Sequence, residues 1–174
     1  TVMGSFDPLE KIAPIASKHH LWLHADGALG GSWLFSKTHR QLLKGLENID
    51  SFTWDLHKMS SLPIYCSVIL IKHSGLLRDA FNLNAEYLFQ SEKYYNKCYD
   101  VGDYSVQCTR KVDVFKLYLH LKGHGLKKIE EYIDNAFNMA RYFEDRVSIR
   151  PNFRLLHPRA SSNNICFFFI PDAY

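Results

Sequence analysis

The stretch that decides how the chain is interpreted spans residues 51–61 and reads SFTWDLHKMSS. It begins with an apolar, β-prone run from Ser51 to Trp54. Three ionisable residues follow this run, namely Asp55, His57 and Lys58. A buried ammonium group is costly to leave without a partner. A lysine at the end of a buried strand therefore either reaches water or is held there for chemistry.

Segments with helical and extended patterns alternate on both sides of this stretch. Asp7 followed by Pro8 is typical of a helix start, with Asp7 as the N-cap. Residues 65–72 are apolar enough to form a strand that is buried on both faces. The pattern predicts helices over 8–20, 36–46, 74–82, 109–122 and 126–149, and strands over 21–26, 51–56, 65–72, 153–157 and 163–170. This alternation predicts an α/β fold with a mainly parallel sheet.

One long segment, residues 84–108, interrupts the alternation. It is rich in tyrosine, and its apolar residues follow neither helical nor strand periodicity, so we predict a loop. Loops of that length are typically functional or mobile. Near residue 150 the pattern changes from a long helix to strands. This change indicates that a second subdomain begins in that region.

Composition excludes several classes of function. The 174 residues carry a net charge of +3 with no basic tract, so charge gives no reason to expect a nucleic-acid partner. No apolar run approaches the ~20 residues of a membrane span. The four cysteines lie far apart without metal-ligand spacing, which predicts no structural metal and reduced thiols in a cytoplasmic protein.

Two predicted strands end in ionisable side chains, at His24 and Asp26 in one and at Lys58 in the other. Ligands bind at the carboxyl ends of strands in open α/β sheets. The small residues of 27–31 after Asp26 would let a flat ligand approach the backbone. A carboxylate, a lysine and a surface of small residues suit pyridoxal phosphate, because the lysine can form a Schiff base and the carboxylate can pair with the pyridine nitrogen. From spacing alone, an ordinary ion pair or two surface groups remain the alternative.

The sequence also resembles the group II pyridoxal phosphate-dependent amino-acid decarboxylases, in the glutamate, cysteine sulfinate and aspartate branch. Two motifs carry the resemblance, HADGALGG at 24–31 and DSFTWDLHK at 50–58. Further matching stretches, such as TVMGSFDPL, AEYLFQSEKYYNKCYDVGDYSVQCTRKVD and NICFFFIP, follow in the same order along essentially all 174 residues. The two motifs at this separation are more specific together than either is alone.

The resemblance implies roles for five cofactor-binding residues. Lys58 matches the Schiff-base lysine, and His57 matches a histidine that contacts the cofactor near its phosphate. Asp26 matches the partner of the pyridine nitrogen, and Ala28 matches a small residue against one ring face. Thr1 matches a threonine near the cofactor.

Two further roles concern the substrate. Arg110 matches the arginine that binds the substrate carboxylate, and Tyr95 matches a mobile-loop tyrosine that returns a proton after carbon dioxide leaves. The neighbouring Tyr94 is a rival for Tyr95. Arg110 has a structural alternative, because it could pair with Asp113 three residues later. His24 and His57 could likewise be hydrogen-bonded strand-end histidines, and we favour that interpretation for His24.

The resemblance implies a lyase of the aminotransferase-like type I fold that decarboxylates a small acidic L-amino acid and forms a homodimer with shared active sites. Residues 1–122 would be the second half of the cofactor-binding large domain. Residues 123–174 would be a connecting helix and the start of a small C-terminal α+β domain. We expect a central piece of a longer enzyme that is inactive alone, since the family's ring-stacking histidine and phosphate loop lie outside it. An aromatic amino-acid or diaminobutyrate decarboxylase, or a non-catalytic remnant that binds a partner, remains open.

The sequence departs from the family pattern at three places. Family members commonly have Asn-Pro where this chain has Asp55-Leu56, which adds a negative charge near the phosphate side and removes a rigid turn. Gly27 replaces a usual alanine, and Glu86 replaces a small residue. An acidic group at Glu86 would repel an acidic substrate if it faced the pocket.

Overall fold

The computed structural model describes residues 2–63, 65–82, 92–96 and 99–172. Its α-helices are α1 (Leu9–Lys18), α2 (Leu76–Phe81) and α3 (Asp113–Ser148), and its strands are β1 (His24–Asp26), β2 (Ser51–Asp55), β3 (Ser67–Ile71), β4 (Phe153–Leu155) and β5 (Phe167–Phe169). One sheet has the order β1-β2-β3, and β4 pairs with β5 in a second sheet. The mixture of helix and sheet confirms the predicted α/β class.

Strand β2 lies at the centre of the first sheet. It runs parallel to β1, with Asp26 opposite Thr53, and antiparallel to β3, with Asp55 opposite Ser67. Parallel pairing is therefore confirmed for β1 and β2 but not for β3. The reason is the connection: a parallel neighbour needs a crossover, and the described residues of the segment 56–66 form no helix that could make one.

Strand β3 was expected to be buried on both faces, and this expectation is wrong for the described chain. Ile69 and Leu70 are 52% and 50% exposed. Val68 packs against the buried cluster of Leu56, Leu62 and Cys66. Val68 is therefore covered by the core, whereas Ile69 and Leu70 are about half exposed to solvent in the described chain.

The first helix forms as predicted, but its N-cap differs. Pro8, rather than Asp7, occupies the cap position, and no side chain caps the helix. The predicted helix over 36–46 is also wrong, because that segment forms short 3₁₀ turns at Arg40–Leu43 and Leu46–Asn48. Between them Gly45 adopts a φ of 94° against α1, which an α-helix cannot accommodate.

The long helix α3 matches the two predicted helices. Its path is interrupted at Gly125, which has a φ of 72° and a ψ of 163°. Such values lie outside the helical region, and glycine adopts them without a side-chain penalty. The two predicted helices therefore occur with the expected break. Strands β4 and β5 lie within the two predicted C-terminal strand segments, and the structure shows that they pair antiparallel.

Three small cores hold the elements that carry the strand ends. Trp33, Ile129 and Ile133 join α3 to the 3₁₀ turn at Gly30–Phe35. A second core, of Leu56, Leu62 and Cys66, lies beneath the turn after β2. In the third core, Leu9 of α1 packs on Phe52 of β2. Across the described parts of the chain, no helix is long and apolar enough to cross a membrane.

Candidate functional site

A cleft of about 420 Å³ opens at the carboxyl ends of β1 and β2. Its lining includes Asp26 and Lys58, two of the ionisable side chains singled out from the sequence. His24, Gly27 and Ala28 line it as well. The parallel pairing of β1 with β2 is the reason, because it brings the ends of two strands that are far apart in sequence to one edge of the sheet.

The Asp26 carboxylate is oriented by the turn that follows β1. Its Oδ1 accepts a hydrogen bond of 2.9 Å from the backbone N–H of Ala28. The N–H of Gly27 donates to the carbonyl of Thr53 at 2.8 Å and so extends the pairing with β2 by one residue. The carboxylate therefore sits at a defined place on the cleft wall.

The small residues after Asp26 are required by the protein itself. A Cβ atom on Gly27 would overlap the ring of Phe52, which is buried in β2. A Cβ atom on Gly31 would lie 2.8 Å from Phe52 and 2.9 Å from Trp54. Aromatic side chains on β2 thus explain these two glycines. Ala28 is a further small residue that lines the cleft.

Lys58 lies on the turn that follows β2 and forms an ion pair there. Its Nζ is 2.7 Å from Oδ2 of Asp55, and the two side chains are 41% and 14% exposed. Burial opposes ionisation of Asp55, but hydrogen bonds from Lys58 and Ser67 outweigh it and lower the pKa of this carboxyl. Asp55 is therefore ionised at neutral pH and holds the lysine amino group.

The two strand-end histidines differ in their surroundings. His24 Nδ1 lies 2.7 Å from Ser51 Oγ and its Nε2 lies 3.3 Å from Thr53 Oγ1, which confirms the structural interpretation favoured for it. His57 Nδ1 accepts a hydrogen bond of 3.2 Å from the N–H of Cys66. Its ring also meets Tyr65 edge-on at 5.4 Å. The cleft lining drawn from described residues includes His24 but not His57.

Within the described chain, the predicted substrate residues Tyr95 and Arg110 do not line this cleft. Tyr95 donates a hydrogen bond of 3.0 Å to Asp100, while the neighbouring Tyr94 is fully exposed. Arg110 is exposed, and the close ionic partner of Asp113 is Lys116, at 2.5 Å. The positive charge of Arg110 helps to lower the pKa of Asp113 only from longer range. Thr1 and Glu86 fall outside the described residues.

Sequence reasoning missed a buried polar network beneath the lysine turn. The hydroxyls of Ser32 and Ser60 are 2.6 Å apart, and Trp54 Nε1 donates to Ser32 at 3.0 Å. From α3, His120 Nε2 lies 3.1 Å from the carbonyl of Ser60. Serine occurs so often on surfaces that no local pattern distinguishes these two from solvated residues.

Sequence reasoning also missed the contribution of the C-terminal part. Ser162 and Asn163 line the cleft. Arg159 and the N–H of Ala160, just before them in sequence, bind the buried carboxylate of Glu144 on α3 at 2.9 and 2.6 Å. A long-range contact of this kind leaves no signal in sequence spacing.

Comparison with known proteins identifies the class. The family model for the pyridoxal-dependent decarboxylase conserved domain matches residues 1–170. The chain therefore belongs to the pyridoxal-dependent decarboxylase family, as the resemblance implied. Pyridoxal phosphate is thus the cofactor that this family membership implies.

Two relatives illustrate which members of this family the chain is similar to. The chain is 44% identical over 174 residues to the mouse acidic amino acid decarboxylase GADL1, covering 99% of this chain and 32% of that protein. It is also 44% identical to human cysteine sulfinic acid decarboxylase, covering 99% of this chain and 35% of that protein. The chain thus spans about a third of the length of these relatives.

Solved structures confirm the fold. The crystal structure of mouse CSAD matches with a TM-score of 0.91 and 40% identity, over 99% of this chain and 35% of that one. Tryptophan decarboxylase of Catharanthus roseus, solved in complex with L-tryptophan, matches with a TM-score of 0.84 and 29% identity, over all of this chain and 36% of that one. The chain accordingly has the type I fold of pyridoxal phosphate-dependent decarboxylases.

The residues that line the cleft fit this cofactor. Lys58 has an amino group of the kind that bonds an aldehyde, and Asp26 has a carboxyl group of the kind that would pair with a protonated ring nitrogen. The cleft volume of about 420 Å³ lies within the range of about 300–1,000 Å³ typical of small-molecule sites. Within the described residues, no group of three histidine, cysteine or acidic side chains could hold a metal ion.

Proposed function

We propose that this chain is part of a pyridoxal phosphate-dependent carboxy-lyase that acts on a small acidic L-amino acid such as glutamate, cysteine sulfinate or aspartate. One observation carries the proposal. Lys58 and Asp26, which come from strands far apart in sequence, line the same cleft. The family membership of the chain gives this pair its chemical meaning.

The cofactor supplies an electron sink for the carbanion that decarboxylation leaves. The chain supplies the groups that hold the cofactor. Lys58 attaches it covalently, and Asp26 keeps its ring nitrogen protonated by opposite charge. Ala28 leaves room beside the ring. His57, whose ring orientation is set by its hydrogen bond to Cys66, is proposed to face the phosphate.

Arg110 and Tyr95 are proposed to act on the substrate. A guanidinium offers two parallel donors to a carboxylate, and the exposed Arg110 is free to turn toward one. Tyr95 is proposed as the acid that returns a proton to the substrate carbon. Neither residue lines the cleft of the described chain, which is consistent with a homodimer that shares its active sites. We also place this enzyme in the cytoplasm.

The substrate class is inferred from relatives. The proteins that match at 44% identity are named for acidic amino acids and for cysteine sulfinic acid. An aromatic substrate is the second candidate, because tryptophan decarboxylase shares the fold at 29% identity. A diaminobutyrate decarboxylase and a non-catalytic partner-binding remnant are weaker alternatives, and the presence of both Lys58 and Asp26 argues against the remnant.

The test is a substrate panel on the purified native protein supplied with pyridoxal phosphate. Carbon dioxide release from glutamate, aspartate, cysteine sulfinate, tryptophan and diaminobutyrate is measured in parallel. We expect release from at least one of the three acidic substrates and much less from tryptophan. Preference for tryptophan would replace the substrate class, and no release from any amino acid would refute the proposed function.

A further inference from the structure

The ion pair between Asp55 and Lys58 is a feature that the proposed chemistry does not use. The lysine nitrogen that must bond the cofactor lies 2.7 Å from a carboxylate oxygen. The same lysine lines the cleft. One amino group therefore has two competing partners, the Asp55 carboxylate and the cofactor aldehyde.

Asp55 is firmly held at the end of β2. It faces Ser67 across the antiparallel pair, and the Ser67 hydroxyl hydrogen-bonds to its carboxylate. Its backbone carbonyl also accepts a hydrogen bond of 3.1 Å from the N–H of Lys58. The carboxylate is thus fixed relative to the lysine turn by contacts on both sides.

The effect of Asp55 on the Lys58 side chain depends on whether the Asp55 carboxyl is ionised. Burial disfavours the ionised form, yet the hydrogen bonds from Lys58 and Ser67 lower the pKa of Asp55 below its ordinary value. A carboxylate with a lowered pKa is a weak proton acceptor. Asp55 therefore stays ionised and holds the Lys58 side chain in place by opposite charge.

We propose that Asp55 is a positioning residue that keeps Lys58 in a resting ion pair, and that the opening of this pair limits how fast pyridoxal phosphate becomes attached. The inference rests on the proposed function, because it assigns Lys58 to the cofactor. It goes beyond that function by assigning to Asp55 the control of cofactor uptake.

The attachment step shows why the pair must open. The lysine nitrogen must be neutral when its electron pair attacks the aldehyde carbon, so the ammonium first loses one proton to solvent. The C–N bond forms, the carbonyl oxygen leaves as water, and a proton returns from solvent for that departure. One ammonium and one aldehyde thus give a protonated C=N bond and one water, and two of the three ammonium protons end on the water.

The experiment compares four versions of the native protein after its cofactor has been removed: unchanged, Asp55→Asn, Asp55→Glu and Glu131→Gln. Asp55→Asn removes the charge and Asp55→Glu keeps it. Glu131→Gln is the matched control, because Glu131 and Lys128 form an exposed pair of the same i,i+3 spacing on α3. Circular dichroism melts establish that each variant is folded.

Two rates are measured at Lys58 by peptide mass spectrometry. The first is acetylation by a limiting amine-reactive ester, which needs no cofactor. The second is attachment of pyridoxal phosphate, trapped by borohydride. We expect Asp55→Asn to raise both rates about threefold, the scale on which partly exposed ion pairs act, and the other two variants to stay close to the unchanged protein.

The outcomes separate this inference from the proposed function. Unchanged rates in Asp55→Asn, or equally faster rates in Asp55→Glu, would overturn the role of the Asp55 charge. Faster acetylation without faster attachment would show that the ion pair exists but does not limit uptake, which also overturns the proposal. Attachment that is absent from every version, with normal acetylation, would refute the proposed function itself and this inference with it.

Discussion

At the scale of single residues, the central pair is Lys58 and Asp26. Their roles in the cleft depend on different properties, a nucleophilic nitrogen in one case and a fixed negative charge in the other. Substitution should therefore separate attachment of the cofactor from turnover.

We predict that Asp26→Asn still attaches pyridoxal phosphate at Lys58 but releases carbon dioxide about a hundredfold more slowly, because the electrostatic support of the ring nitrogen is gone. Steady-state kinetics and borohydride trapping measure the two properties separately. Asp79→Asn, a change at an exposed aspartate on α2, is the control. Equal turnover in the natural protein and Asp26→Asn would contradict the assigned role of Asp26.

A second residue-scale prediction concerns Gly27 and Phe52. A methyl group at Gly27 would overlap the Phe52 ring, so Gly27→Ala should lower the free energy of unfolding by about 1–3 kcal/mol. The cost of Gly27→Ala should be smaller when Phe52→Val is already present, because the smaller side chain leaves room for the methyl group. Urea denaturation of the two single variants and the double variant measures the coupling. Strictly additive effects would show that the two residues do not compete for this space.

At the scale of elements, the segment 36–46 shows where a helical pattern can mislead. Leu42, Leu43 and Leu46 follow helical spacing, but Gly45 packs so closely on the backbone of Glu10 that a side chain would not fit. Contact with α1 overrides local preference, and the chain forms 3₁₀ turns instead.

Gly45 and Gly75 form a matched pair that tests this account. Both have positive φ values, 94° and 88°, but a Cβ atom on Gly75 meets nothing within 4 Å. Gly75→Ala should cost about 1 kcal/mol through backbone strain alone, whereas Gly45→Ala adds a collision and should cost about 3 kcal/mol. Thermal melts of the two variants measure the difference. Similar costs would mean that contact with α1 does not dictate the turn.

At the scale of the whole molecule, Glu144 connects α3 to the segment that reaches the cleft. Burial raises its pKa, but the bonds from the Ala160 N–H, Arg141 and Arg159 outweigh that effect and lower it. A carboxyl with a lowered pKa in the folded state contributes stability above its unfolded pKa. That contribution is lost as pH falls through the folded value.

We therefore predict that the native protein loses stability below a pH of about 4.5, the ordinary range of a glutamate pKa, and that Glu144→Gln removes part of this acid dependence. At neutral pH the same variant should be less stable by about 2 kcal/mol, since it weakens bonds to two arginines. Denaturation at several pH values measures both effects, with Glu131→Gln as an exposed control. Parallel pH profiles for all three proteins would contradict the role of Glu144.

The sequence predicted the parts of this molecule that depend on local order. Asp26 and Lys58 could be placed at strand ends from residue pattern alone, and the Gly125 break was visible as a glycine between two helical periods. The direction of β3 and the buried Ser32–Ser60 pair depend on contacts between distant segments. Such contacts leave no periodic signal, so they required the structure.

The most direct test of the account is to locate the cofactor on the native protein. Borohydride reduction followed by peptide mass spectrometry identifies the lysine that carries a pyridoxyl group. We expect the group on Lys58 and none in Lys58→Ala. The Lys72→Ala variant, changed at an exposed lysine after β3, should match the natural protein. A pyridoxyl group on another lysine, or none in the natural protein, would contradict this expectation.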